Sequence, residues 1–157
     1  MTLTEEIKQF LKSKEGLRLK AYICPAGKWT IGYGNTFYEY GSKVKKGDTI
    51  SKNRAEELFE NILYQFSKEV KSLLKTELND NQFSALVSFS YNVGIGNFSK
   101  STLLKLVNIN PSNPSIKNEF IKWNKGGGKT LYGLTIRRQK EADIYFKEIN
   151  INNLPIA

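Results

Sequence analysis

Two different periods of apolar residues run along this chain. The helical one comes first. Leu3, Ile7, Phe10 and Leu11 form a single stripe over residues 3–14, the spacing that places side chains on one helix face. Thr2 and Glu5 carry a capping-box signature, and Lys12 and Lys14 fall in the last turn, where the helix dipole favours cations. The period then drops to two. Leu17, Leu19, Ala21 and Ile23 alternate with Arg18, Lys20 and Tyr22, predicting a strand with the first set on one face. Cys24-Pro25-Ala26-Gly27 has the composition of a β-turn. The return strand sets Ile31 and Tyr33 against Thr30, Gly32 and Gly34, a face with one hydroxyl and two missing side chains. Residues 37–40 are expected to add a third short strand, followed by a basic loop over 41–50.

From about residue 52 the helical period returns and persists. Ala55, Leu58, Phe59, Ile62, Leu63, Phe66, Val70, Leu73 and Leu74 recur at three- and four-residue intervals, so 52–75 is the longest predicted helix. Residues 81–93, between Asp80 and Gly94, leave little polar face and read as a buried helix. Gly94-Ile95-Gly96 reads as a turn, Ser101 as the cap of a short helix over 102–108, and Ser115 as the start of another with Ile116, Phe120, Ile121 and Trp123 inward. GGGKT at 126–130 fails as a phosphate loop, because the required first Gly falls at Trp123, and is read as a flexible loop. A last helix is expected over 135–148. Arg137 and Arg138 sit near its N-terminus, which the dipole disfavours, so they need acidic partners or line a cleft. The tail over 150–157 is expected to be loosely held. A small β segment set among helices makes the fold class α+β.

Composition narrows the function classes. A length of 157 residues allows one domain, or two lobes sharing a helix. A single cysteine excludes an internal disulfide and fits a reducing compartment. With no His and one Cys, a conventional zinc site is not expected. No stretch of about 18 apolar residues is present, and the N-terminus lacks the layout of a signal peptide. The expectation is therefore no membrane insertion. The net charge of +9 suits an anionic partner. The lysines are scattered, with no nucleic-acid module and no polybasic tail, so nucleic acid is not the expected partner.

The candidate chemistry lies between Glu15 and Gly34, in EGLRLKAYICPAGKWTIGYG. Glu15 falls where the first helix runs out, a position at which the dipole disfavours a carboxylate's charge. Glu15, Cys24 and Thr30 are spaced as the active-site residues of phage-type lysozymes, glycoside hydrolase family 24, whose second position is an Asp or sometimes a Cys. The flanks E-G-L-R-L-K-A-Y and T-I-G-Y-G resemble that family as well. So do NQFSALVSFSYNVG…F…STLL and W…GGGK…L.GL…RR further on. The resemblance covers the chain from Glu15 to about Glu141.

The resemblance implies a lysozyme-like fold in one domain over 1–157. A small β lobe would span about 15–50, a linking helix about 52–75, and a helical lobe about 76–150 with helix 3–14 packed on it. It implies a muramidase cutting the β-1,4 bond between N-acetylmuramic acid and N-acetylglucosamine in peptidoglycan, with inversion at the anomeric carbon. Glu15 would be the general acid, Cys24 would take the place of the usual carboxylate, and Thr30 would position the attacking water. A neutral thiol gives little charge stabilisation, which leaves a second reading open: a wall-binding module of the same fold with impaired catalysis. By alignment Gly34, Thr36, Tyr91 and Ser101 would lie along the substrate cleft. The setting would be lysis of a bacterial host at the end of a phage cycle. The protein would be a monomer held in the host cytoplasm until a separate holin-like protein lets it reach the wall.

Overall fold

The computed structural model describes residues 1–148, so the predicted loose tail at 150–157 lies outside the described residues. Internal contacts divide the chain into two compact units, Glu5–Glu69 and a second formed by Met1–Thr4 with the chain from Val70 onward.

The Glu5–Glu69 unit opens with α1, Glu5–Glu15, which has Glu5 and Glu6 in its first turn and Lys12 and Lys14 in its last. Ile7 and Leu11 are fully buried. The helix starts two residues later than its apolar stripe predicts, and the Thr2–Glu5 capping box does not form. Long-range bonds hold the preceding residues instead, from Thr2 N to Asp80 Oδ1 at 2.8 Å and from Thr4 N to Ser84 Oγ at 3.0 Å.

β1, Arg18–Ile23, and β2, Trp29–Gly32, pair antiparallel with Tyr22 opposite Thr30 and Ile23 opposite Trp29. Arg18 pairs with Gly32, so a bulge intervenes, and a bulge breaks strict facial alternation. Of the predicted apolar face only Ala21 is buried in β1; Leu19 and Ile23 are 42% and 51% exposed. The third strand is also displaced. Residues 48–50 pair along β1, with Ala21 N donating to Asp48 O and Ile50 N to Leu19 O, both at 2.9 Å. Residues 38–41 form a turn closed by Gly41 N donating to Tyr38 O, with Gly41 at φ +87°. Asp48 holds this exchange in place by accepting from Lys45 N at 2.9 Å and Tyr38 OH at 2.7 Å.

Ser51 Oγ accepts from Arg54 N at 3.1 Å and so caps α2, Lys52–Leu73. Its predicted stripe is real, with Ala55, Leu58, Phe59, Ile62, Leu63 and Val70 all buried.

In the second unit, α3 (Asp80–Val93) begins with a complete capping box: Asn79 Oδ1 accepts from Gln82 N, and Gln82 Oε1 from Asn79 N. Every residue from Phe83 to Ser90 is buried, as the all-round apolar pattern predicts. The expected turn at Gly94–Gly96 instead leads into α4, Ile95–Lys100. α5 (Thr102–Ile109) and α6 (Ile116–Ile121) follow where they were expected. The glycine-rich segment is a small hairpin, β3 (Lys125–Gly126) with β4 (Lys129–Thr130). Gly127 and Gly128 turn it at φ +58° and +78°, a pair of left-handed positions that favour glycine. α7 runs Tyr132–Tyr145. Phe89 organises this core, with Phe98, Phe120 and Trp123 at centroid distances of 6.1, 5.6 and 5.6 Å.

Arg137 and Arg138 do have an acidic partner. Glu141 and Arg138 are fully buried and paired, and Arg137 Nε lies 3.6 Å from Glu141 Oε2. Ser88 Oγ donates to the same carboxylate at 2.6 Å. Arg138 also donates to the Trp123 carbonyl and to Asn92 Oδ1. Among the described residues no helix is long and apolar enough to cross a membrane.

Candidate active site

Glu15 continues the buried stripe of α1. Ile7, Leu11 and Glu15 recur every four residues, so the carboxylate emerges on the face that α1 packs inward. It meets Gly34. A Cβ on Gly34 would overlap Glu15 Oε2 and lie 3.0 Å from Glu15 Cδ, so the carboxylate rests against a bare α-carbon. Gly34 stands at φ +76°, which disfavours any other residue there.

The loop carrying Gly34 is rigidly closed. Ile31 and Asn35 exchange both backbone bonds, at 2.8 and 2.9 Å, and Asn35 Oδ1 accepts from Tyr33 N at 3.3 Å. Tyr33 OH donates to Glu56 Oε1 at 2.5 Å, and Lys12 Nζ lies 2.6 Å from Glu56 Oε2. The Lys12 ammonium also sits over the rings of Tyr33 and Phe59, 5.5 and 5.3 Å from their centroids. The bond to Glu56 pushes the Tyr33 phenol up to about 12 and, with Lys12, holds the Glu56 carboxyl below its usual value. Lys12 lies one turn before Glu15, so this brace ties the acid-bearing turn, the glycine loop and α2 together. Sequence reasoning did not find it: Lys12, Tyr33 and Glu56 belong to three elements, and no spacing links them.

We expect Gly34→Ala to drive the Glu15 carboxylate from its seat. The φ penalty alone is about 1–2 kcal/mol, so the variant should unfold a few degrees lower; thermal unfolding that matches the parent chain would show that this seat does not matter.

The hairpin tip brings Cys24 and Thr30 together. Gly27 N donates to Cys24 O at 2.8 Å, confirming the β-turn, and Cys24 N donates to Lys28 O at 3.0 Å. Thr30 is 2% exposed, and its Oγ1 donates to the same Lys28 carbonyl at 2.9 Å. The neighbouring Thr30 side chain is the main reason the thiol's pKa is lowered; burial opposes the shift, and backbone groups at Lys28, Ala26 and Cys24 add to it. Lowering the pKa enlarges the thiolate fraction at neutral pH, so Cys24 should alkylate readily with iodoacetamide there. Thr30→Val should move the pH midpoint of labelling upward; an unmoved midpoint would show that Thr30 does not hold the thiolate.

Thr36 lines a cavity of about 290 Å³ with Lys28, Trp29, Phe37 and Lys43. The remaining two predicted residues belong to the other unit. Tyr91 is half-buried on α3. Ser101 is 4% exposed, and its hydroxyl is committed locally, accepting from Leu104 N at 3.1 Å and donating to Phe98 O at 2.7 Å. Among the described residues no three His, Cys, Asp or Glu side chains are grouped to hold a metal ion.

A carboxylate at a helix end, seated on a glycine of a closed loop beside a two-stranded ribbon and followed by a helical unit, defines a lysozyme-like α+β protein. The comparisons with known proteins agree. Residues 12–141 match the family described as phage lysozyme, and the chain belongs to that family. It is similar to the endolysin of Bacillus phage B103, 43% identical over 92% of this chain and 54% of the relative. It is 37% identical to the endolysin of Acyrthosiphon pisum secondary endosymbiont phage 1, over 92% of this chain and 98% of that one. Among solved structures, an endolysin from Escherichia coli O157:H7 phage FAHEc1 superposes with a TM-score of 0.82 at 35% identity, covering 95% and 96% of the two chains. The chain spans about half the length of its Bacillus phage relatives.

Proposed function

We propose that this chain is a muramidase that lyses bacterial cell walls by hydrolysing the β-1,4 bond between N-acetylmuramic acid and N-acetylglucosamine in peptidoglycan. The observation that carries this reading is the Glu15 carboxylate seated against the α-carbon of Gly34. It holds an acid at one fixed place on a rigid loop, as proton transfer to a leaving oxygen requires.

In this mechanism Glu15 protonates the glycosidic oxygen as the bond to the anomeric carbon breaks. Thr30 positions a water, the Cys24 thiolate takes that water's proton, and the hydroxyl adds to the opposite face of the sugar, giving inversion. Gly34, Thr36, Tyr91 and Ser101 are the substrate contacts that the family resemblance assigns. The lowered pKa of the Cys24 thiol, chiefly due to Thr30, supports an active enzyme over a binding module with impaired catalysis. The chain acts as a monomer, without a cofactor, and reaches the wall through a separate holin-like protein.

Product analysis tests the reading. Purified peptidoglycan digested by this chain should yield new reducing ends on N-acetylmuramic acid, with the α anomer appearing first. New ends on N-acetylglucosamine, or none, would overturn the assignment, and the β anomer appearing first would overturn inversion.

A further inference from the structure

The Glu5–Glu69 unit holds a second concave surface that shares no residue with the contacts of Glu15, Cys24 and Thr30. It is an open groove of about 550 Å³ between the 38–41 turn and the outward face of α2. Two tyrosine rings line it, Tyr40 at 101% exposure and Tyr64 at 64%. Its floor is built rather than incidental. Arg54 grips the Glu39 carboxylate with two nitrogens, at 2.6 and 2.7 Å, and Asn61 Nδ2 adds a third bond at 2.9 Å. Gln65 Nε2 donates to the Glu39 carbonyl at 3.0 Å. Chiefly because of Arg54, the Glu39 carboxyl is held down at about 2, so the floor keeps its charges and its shape over the whole working pH range.

Two features of this floor select a ligand. Asn61 and Gln65 spend their NH₂ groups on Glu39, so Asn61 Oδ1 and Gln65 Oε1 remain as fixed acceptors, and neither accepts a hydrogen bond from the described residues. The lining's charges also sum to zero, Glu39 and Glu57, both paired with Arg54, against Arg54 and Lys68, within a chain of net charge +9. An anionic ligand would be drawn to the basic surfaces elsewhere. What matches this groove is an uncharged ligand with flat apolar faces and many O–H and N–H donors.

We propose that the groove is a second, non-catalytic holding site for a neutral N-acetylated glycan strand, with Tyr40 and Tyr64 against sugar-ring faces and Asn61 and Gln65 accepting from its hydroxyl and amide groups. The choice of glycan rests on the proposed muramidase reading. The site keeps the protein on the polymer between cuts, since two linked contacts raise the effective concentration of the strand.

The test uses the full chain carrying Glu15→Gln, titrated with chitotetraose and followed by amide NMR. Saturable shifts are expected at Asn61, Tyr64 and Gln65, and they should vanish in Tyr40→Ala/Tyr64→Ala. Both tyrosines are exposed, so thermal unfolding should not change. With Glu15 intact, the double variant should hydrolyse short soluble glycans at the parent rate. Its retention on sedimented peptidoglycan should fall about tenfold, equivalent to roughly 1.4 kcal/mol. Silent groove amides, or full retention by the double variant, would overturn the proposal. The NMR readout needs no bond cleavage. A chain that binds at α2 but releases no reducing ends would defeat only the muramidase reading, and a silent groove in an active enzyme would defeat only this one.

Discussion

Glu15→Gln is expected to abolish peptidoglycan clearing to within assay limits, a loss of roughly 10²–10⁴-fold. The amide keeps the size and the seat of the carboxyl, because Gly34 still leaves room for it. It has no proton to give the leaving oxygen. The brace of Lys12, Tyr33 and Glu56 does not involve the Glu15 side chain, so folding should survive. Thermal unfolding that matches the parent chain would assign the loss to chemistry. Clearing at the parent rate would remove Glu15 as the acid and the proposed mechanism with it.

Glu141→Ala is expected to have the largest effect on stability, about 3–5 kcal/mol. Arg138 is fully buried and Arg137 is 5% exposed, and Glu141 is the carboxylate that faces both. Removing it deletes the carboxylate that both guanidinium groups meet, in a core built on Phe89, with Arg138 5.1 Å from that ring's centroid. For a chain of this length the melting temperature should drop by about 10 °C or more. Glu141→Gln keeps the shape and the bond from Ser88 and should cost less than Ala. Equal losses would mean that the charge is not what matters. A drop of only a degree or two for Ala would show that the arginines find water or another acid.

The same pair shows the reach of pattern reading. Two adjacent arginines read as lying near a helix N-terminus oppose the dipole, which left two readings open, acidic partners or a cleft lining; α7 starts at Tyr132, so they stand beyond its first turn. The acid, Glu141, lies three and four residues further along the same helix, a spacing the sequence already holds, whereas the part of Ser88 and Asn92 in the network depended on α3 lying along α7. At the hairpin the turn at Cys24–Gly27 was legible because Pro and Gly mark it locally. The burial of its strands was not. The bulge between Arg18 and Tyr22 breaks the alternation, and residues 48–50, not the third strand expected at 37–40, pair along β1.

By itself the sequence determined what depends on near neighbours along the chain. That covers the α1 and α2 stripes, the all-apolar α3, the cap at Ser101, and the spacing of Glu15, Cys24 and Thr30 that points to the phage lysozyme family. Tertiary structure alone decided which groups meet. Glu15 against Gly34, Lys12 and Tyr33 on Glu56, and Ser88 on Glu141 join residues separated by up to 53 positions in the chain. Periodicity encodes the face a side chain occupies on its own element. It carries no record of the element that packs against that face, because packing is set by the shape and charge of surfaces that exist only after the chain has folded.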